Sequence, residues 1–136
     1  MRKEAIAVLL GVLFVIAGGG IRAHAADPDM LGGEPKEFHV VILADGPVSF
    51  TLPSTIIVDE KQRRVPLELV VSNHTKKEHG FSIDKFKVKE IVKPGETKTI
   101  KISVTDLDAI GTDQSAFRYY CQLHKGHVGG QLYVKR

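Results

Sequence analysis

Residues 119–130 read YYCQLHKGHVGG, and three side chains in that stretch, Cys121, His124 and His127, stand three residues apart. Cys121 is the only cysteine of the chain. Upstream, Phe117–Cys121 has the β-branched and aromatic character of a strand. Downstream, Gln131–Lys135 has it again. The nine residues between, QLHKGHVGG, hold three glycines and read as a loop joining two strands. A regular strand would place Cys121 and His124 on opposite faces, because side chains alternate. A curled loop instead turns the thiol and both imidazoles toward one point. One sulfur with several imidazoles is a donor set for copper or zinc.

The compartment bears on the lone thiol. Arg2 and Lys3 precede an uninterrupted apolar run, Ala5–Ala17, and Ala23 and Ala25 then form an A-x-A pattern. This is the layout of a secretory signal peptide cleaved after Ala25. The apolar run is short for a bilayer span of about 20 residues, and no second run follows. Residues 1–25 are therefore expected to be removed, leaving a periplasmic or otherwise exported protein with no membrane segment. Exported domains tend to pair their cysteines. An unpaired one points to an intermolecular bridge, a reactive thiol or a bound metal that protects it.

The leader takes Arg2, Lys3, Arg22 and Glu4 with it. Of 19 basic and 16 acidic residues, 16 and 15 remain, so the mature chain carries a net charge near +1. Its Lys and Arg are scattered among acids with no basic stripe of interleaved aromatics, which argues against a nucleic-acid partner.

Residues 26–37, ADPDMLGGEPKE, are proline- and glycine-rich and read as a flexible N-terminal arm. The domain proper is expected over 38–136. It breaks into short runs: Phe38–Ala44, Val48–Leu52, Thr55–Val58, Pro66–Ser72, His79–Ile83, Val88–Ile91, Thr97–Val104, Phe117–Cys121 and Gln131–Lys135. Several alternate. In KTIKISV, Ile100, Ile102 and Val104 share one side, and in PLELVV, Leu67, Leu69 and Val71 do the same. KPGE at 93–96 is a turn, and Thr105–Ala116 is a polar stretch with room for one helical turn. The pattern predicts an all-β, Greek-key β-sandwich of seven to eight strands.

A fourth donor must come from elsewhere, and His39, His74, His79 and the carboxylates are the candidates. His79 stands out because it opens the strand-like HGFSI directly after the polar loop SNHTKKE. His39 lies inside the apolar FHVVILA, and His74 sits in the lysine-rich loop.

Three stretches together resemble the cupredoxin superfamily: HGFSIDKF at 79–86, VKPGETKTIKISV at 92–104 and AFRYYCQLHKGHVGGQLYV at 116–134. Within it, EHGFSID, KPGETKTI and CQLH are most similar to the nitrosocyanin-type red copper proteins. The resemblance spans most of 66–136. It implies one copper per domain, held by His79, Cys121, His124 and His127, with zinc as the alternative ion. The chain departs from both patterns. His127 stands where blue copper proteins of this loop length place an axial methionine. His79 stands where the red proteins have a glutamate, with Glu78 one position away. The ligand loop looks two residues shorter than theirs, and 105–116 looks longer than usual. A third imidazole favours Cu(II), so the implied centre has a low potential and a red or type-2-like character.

The implied function is single-electron transfer between periplasmic redox partners. Four protein ligands leave little room for a substrate. A displaceable imidazole would instead suit a red-copper-type enzyme or a nitrogen-oxide-binding protein, and copper storage or delivery is a third role. Lys76, Lys77, Lys85 and Lys87 offer a surface to an acidic partner, or simply a solvated face. The resemblance admits a monomer or a homo-trimer.

Overall fold

The computed structural model describes residues 34–59, 64–110 and 115–135. The expected signal peptide, most of the arm, and both methionines, Met1 and Met30, lie outside them. Among the described residues no helix is long and apolar enough to cross a membrane.

Nine strands form among the described residues, rather than seven to eight. They are β1 (Lys36–Asp45), β2 (Val48–Leu52), β3 (Thr55–Val58), β4 (Leu67–Asn73), β5 (His79–Ile83), β6 (Val88–Val92), β7 (Thr97–Ile102), β8 (Ala116–Tyr119) and β9 (Gly130–Val134). One layer is the four-stranded sheet β2-β1-β4-β7. Its pairings are antiparallel except β1 with β4. The other layer combines the sheet β3-β9-β8 with the hairpin β5-β6. An antiparallel bridge between Ser82 and Tyr120 joins the two pieces. The chain therefore changes layer repeatedly, and both parallel pairs, β1 with β4 and β3 with β9, arise from such crossovers.

Burial follows the alternation. Val40 and Ile42 of β1, Leu67, Leu69 and Val71 of β4, and Ile100 and Ile102 of β7 face inward from the first layer. Ile56, Val58, Phe81, Ile83, Phe117, Tyr119, Leu132 and Val134 belong to the same buried cluster from the second. Strand β5 is different: all five residues, His79 to Ile83, are buried. That strand carries the first candidate ligand into the interior.

Two boundaries differ from the alternation pattern for identifiable reasons. β1 begins at Lys36, inside the expected arm, because its amide donates to Pro66 O at 2.8 Å and brings in the start of β4. β7 ends at Ile102, so Val104 is not the third member of its inward row. Ser103 caps a short helix, α1 (Val104–Asp108), by accepting from the Asp106 amide at 3.0 Å. The helix buries Leu107 against the core instead.

Leu69 sits at 0% exposure in the middle of β4. Leu69→Ala is expected to cost about 2–5 kcal/mol, measured by urea denaturation of the metal-free protein, since the packed layers cannot fully close over the cavity.

Candidate metal centre

The stretch 121–129 lies between the two layers and is tied to each by backbone hydrogen bonds. At its start, Ser82 N–H donates to Tyr120 O at 2.9 Å and Tyr120 N–H to Ser82 O at 3.1 Å. At its end, Thr51 N–H donates to Val128 O at 2.8 Å and Val128 N–H to Ser49 O at 2.9 Å. β5 thus holds the cysteine end and β2 the histidine end. Gly129 fits this path because it has no Cβ, which would collide with the Tyr119 carbonyl. β8 itself ends at Tyr119, so Cys121 belongs to the loop and not to the strand.

The loop and β5 bring three buried donors together. His79, Cys121 and His127 place one ligand atom each within 4.8 Å of one another. The two imidazoles approach through Nδ1, 3.0 Å apart, and Cys121 Sγ lies 3.9 Å from His79 Nδ1. His124 is the exposed member. Its Nδ1 lies 3.5 Å from Cys121 Sγ, and its ring centroid is 4.8 Å from that of His79. The structure therefore gathers all four residues singled out by the sequence. It leaves out the other candidates. His39 is exposed, with Nε2 2.7 Å from Glu37 Oε1. His74 and Glu78 are exposed and outside the three-residue cluster.

Several residues that sequence reasoning passed over hold this arrangement. The Gly80 amide donates to Cys121 Sγ at 3.2 Å. Gln122 lies across Gly80, with Oε1 accepting from Ser82 Oγ at 2.8 Å and Nε2 donating to Glu90 O at 2.9 Å. A Cβ at residue 80 would collide with that amide, so a side chain there would displace Gln122. Thr51 Oγ1 is 2.8 Å from His127 Nε2. In the tautomer with the proton on Nε2, Thr51 accepts it and the Nδ1 lone pair is turned into the cluster. Asn73, buried at the end of β4, donates to Lys77 O and Val92 O at 2.7 and 2.8 Å and accepts from the Thr75 amide at 2.9 Å. It fixes the loop that delivers His79 to β5. An isolated glycine inside HGFSI and an asparagine opening NHTKKE were readable hints of close approach and an Asx turn. Nothing local marks Thr51.

No family profile and no curated protein matches the sequence. Among solved structures the chain is similar to the multicopper oxidase mgLAC, at 18% identity and TM-score 0.52, covering 75% of this chain and 39% of that one. It is similar also to a multi-copper oxidase from Pseudomonas thermotolerans, at 12% identity and TM-score 0.52, covering 75% and 30%. A copper binding protein solved in its apo form by NMR aligns at 17% identity and TM-score 0.49, covering 74% and 87%. This chain thus spans well under half the length of either oxidase, and at these identities the likeness is one of fold.

The chain has the cupredoxin fold.

Within that cupredoxin fold, the donors suit a metal ion. Burial first, then the His79 and His124 imidazoles, lower the His127 pKa to about 4. Burial first, then His124 and Lys77, lower that of His79. Both rings are therefore neutral at pH 7, with lone pairs to offer. Two neutral imidazoles and a thiol converging at one buried point fit an ion that takes nitrogen and sulfur donors, copper or zinc.

Two outcomes are expected. In the metal-free protein the folded state binds fewer protons than the unfolded chain between about pH 4, where folded His127 titrates, and roughly 6.5, the ordinary histidine value. Its stability is then full above that window and falls as the pH is lowered through it, visible as a falling urea midpoint that His127→Gln flattens. Thr51→Val, which keeps the shape and removes the acceptor, is expected to weaken metal binding about 10–100-fold in a chelator competition while the fold persists.

Proposed function

We propose that this is an exported, mononuclear copper protein that carries single electrons between partner proteins, with His79, Cys121, His124 and His127 as the ligands. The observation that supports it is the meeting of Cys121 with His79 and His127 in a buried cluster, with His124 beside the sulfur. Copper bound there supplies a one-electron Cu(I)/Cu(II) couple.

The chain's own residues suit that task. Cys121, His124 and His127 sit on a loop clamped to both layers and His79 sits on β5, so their spacing is set by the sandwich and not by the ion. The Gly80 N–H hydrogen bond stabilises negative charge on Cys121 Sγ. Burial of His79, Cys121 and His127 keeps water from the centre, while the exposed ring of His124 connects it to the surface. With His127 in place of a thioether, the oxidised state is favoured and the potential is low. The leader at 1–25 supports export.

A second reading rests on the same exposed side chain. His124 stands outside the tight three-residue cluster. A displaceable His124 would open a coordination position for a nitrogen oxide, as in a red-copper-type enzyme or sensor.

Loading the metal-free mature domain, Ala26–Arg136, with Cu(II) is the test. A visible band that disappears in Cys121→Ser, with one copper per chain, is the expected result, and its position and the copper hyperfine splitting report blue or red character. Absence of any Cys121-dependent band would sink the copper–thiolate reading. Spectral change on adding nitric oxide to the loaded protein, lost in His124→Ala, would favour the second reading over electron transfer.

A further inference from the structure

Strands β6 and β7 are each the last strand of their sheet, and they belong to opposite layers. Residues of both line a groove of about 590 Å³. Its floor is apolar: Phe86 and Val88 are half-buried against the core, and Ile100 is buried. Glu90 on β6 and Lys98 on β7 meet at 3.1 Å and join the two walls. The Glu90 carbonyl also accepts from Gln122 Nε2 at 2.9 Å, which ties the β6 wall to the loop after β8. None of the four proposed metal ligands lines this groove.

The charge around that floor is one-sided. Lys87, Lys89, Lys98 and Lys101 line the groove. Among the described residues, the one carboxylate lining it is that of Glu90, and Lys98 already pairs it. Lysines on edge strands also discourage strand-to-strand aggregation. That role accounts for Lys89 and Lys101, which stand on β6 and β7.

It does not account for Lys87. This residue stands outside both strands, at the end of the short turn Asp84–Phe86. Its φ is 54°, a left-handed conformation that is costly for a residue with a Cβ and free for glycine. The turn is closed by the backbone, the Lys87 amide donating to Asp84 O at 3.0 Å. Glycine would make the same bond without the strain. What lysine adds at this position is an exposed charge on a long arm at the edge of the groove.

We infer that the groove between β6 and β7 is a docking site for an extended acidic segment of a partner protein, one in which carboxylate and apolar side chains alternate. An extended chain puts successive side chains on opposite sides. The apolar ones reach Phe86, Val88 and Ile100, and the carboxylates meet the lysine ammonium groups at the rim. Charge complementarity decides the sign of the partner, and the shape decides its kind. A concave groove walled by two strands takes a narrow chain, whereas an anionic bilayer presents a flat surface. The inference goes beyond the proposed electron transfer and stands apart from the metal reading, because the groove contains none of the ligands.

The experiment uses the protein expressed from the full chain, labelled with ¹⁵N and without added metal. It is titrated with a hexapeptide of alternating glutamate and valine. Hexaglutamate and a hexapeptide of alternating lysine and valine are titrated in parallel, and co-sedimentation with phosphatidylglycerol vesicles is measured alongside. The expected result is a saturable shift of the Lys87, Lys89 and Thr99 amides with the glutamate–valine peptide. Hexaglutamate is expected to bind several-fold more weakly, the lysine peptide and the vesicles not at all. Lys87→Gly removes the charge and relieves the backbone, so the fold is kept while binding weakens about threefold. Adding Lys89→Ala brings the loss to about tenfold, and Lys76→Ala, in the loop before β5, leaves binding unchanged. Equal binding of the lysine peptide or of hexaglutamate overturns the inference, as does an affinity that the double variant does not lower. Binding of vesicles in place of the peptide overturns it in favour of a membrane contact. Loss of the copper–thiolate reading leaves all of these outcomes as they stand.

Discussion

The clamp on the loop after β8 is the constraint from which the centre follows. Two amide–carbonyl pairs to β5 and two to β2 hold residues 120–128 across the gap between layers. Each bond is worth only about 1 kcal/mol net, so their significance is positional. The bonds at Tyr120 place Cys121 beside the Gly80 amide. Those at Val128 place His127 beside the Thr51 hydroxyl, and the same residue, Thr51, supplies both the backbone donor and the side-chain acceptor. Orientation of the ring is thus built into the strand pairing. A centre made this way is organised before any ion arrives, because the cost of ordering the loop has been met by folding.

The electrostatics of the cluster follow from the same geometry. Three buried donors are largely stripped of water, and charged imidazolium rings 3.0 Å apart at Nδ1 would repel. The low His127 pKa is therefore a consequence of where the clamp places the ring, burial first and neighbouring imidazoles second. The neutral rings that result are the form in which histidine binds metal. Gly80 contributes from the opposite side. Its amide donates to Sγ, and Gln122, pinned by Ser82 and Glu90 O, covers the space a side chain would need.

Much of this was legible in the sequence, and the rest was hidden for physical reasons. Period-two alternation located the strands, since Leu67, Leu69 and Val71 must share a face. The Cys121, His124 and His127 spacing carried its own chemistry, as did His79 at the head of a strand. Val104 misled because the alternation of KTIKISV runs on past Ile102, while the Ser103 cap bends the chain into α1. Thr51 was invisible because its partnership with His127 spans 76 residues and depends on β2 meeting the loop end. Gln122 was masked by its neighbours: a polar residue between a cysteine and a histidine reads as loop filler until its amide is seen bridging two strands.

Two strand histidines show where parity decides and where it fails. On β1, Val40 and Ile42 face the core, so His39 must face outward, and it does, beside Glu37. The same rule says nothing about His79, because every residue of β5 is buried. A strand buried on both faces has no solvent side to which a polar residue can be turned. Burying His79 there takes both of its nitrogens out of water. Nδ1 is satisfied by the cluster, and Nε2 finds no partner among the described residues. The burial of His79 is thus offset at one nitrogen alone, by the cluster that the loop and β5 form together.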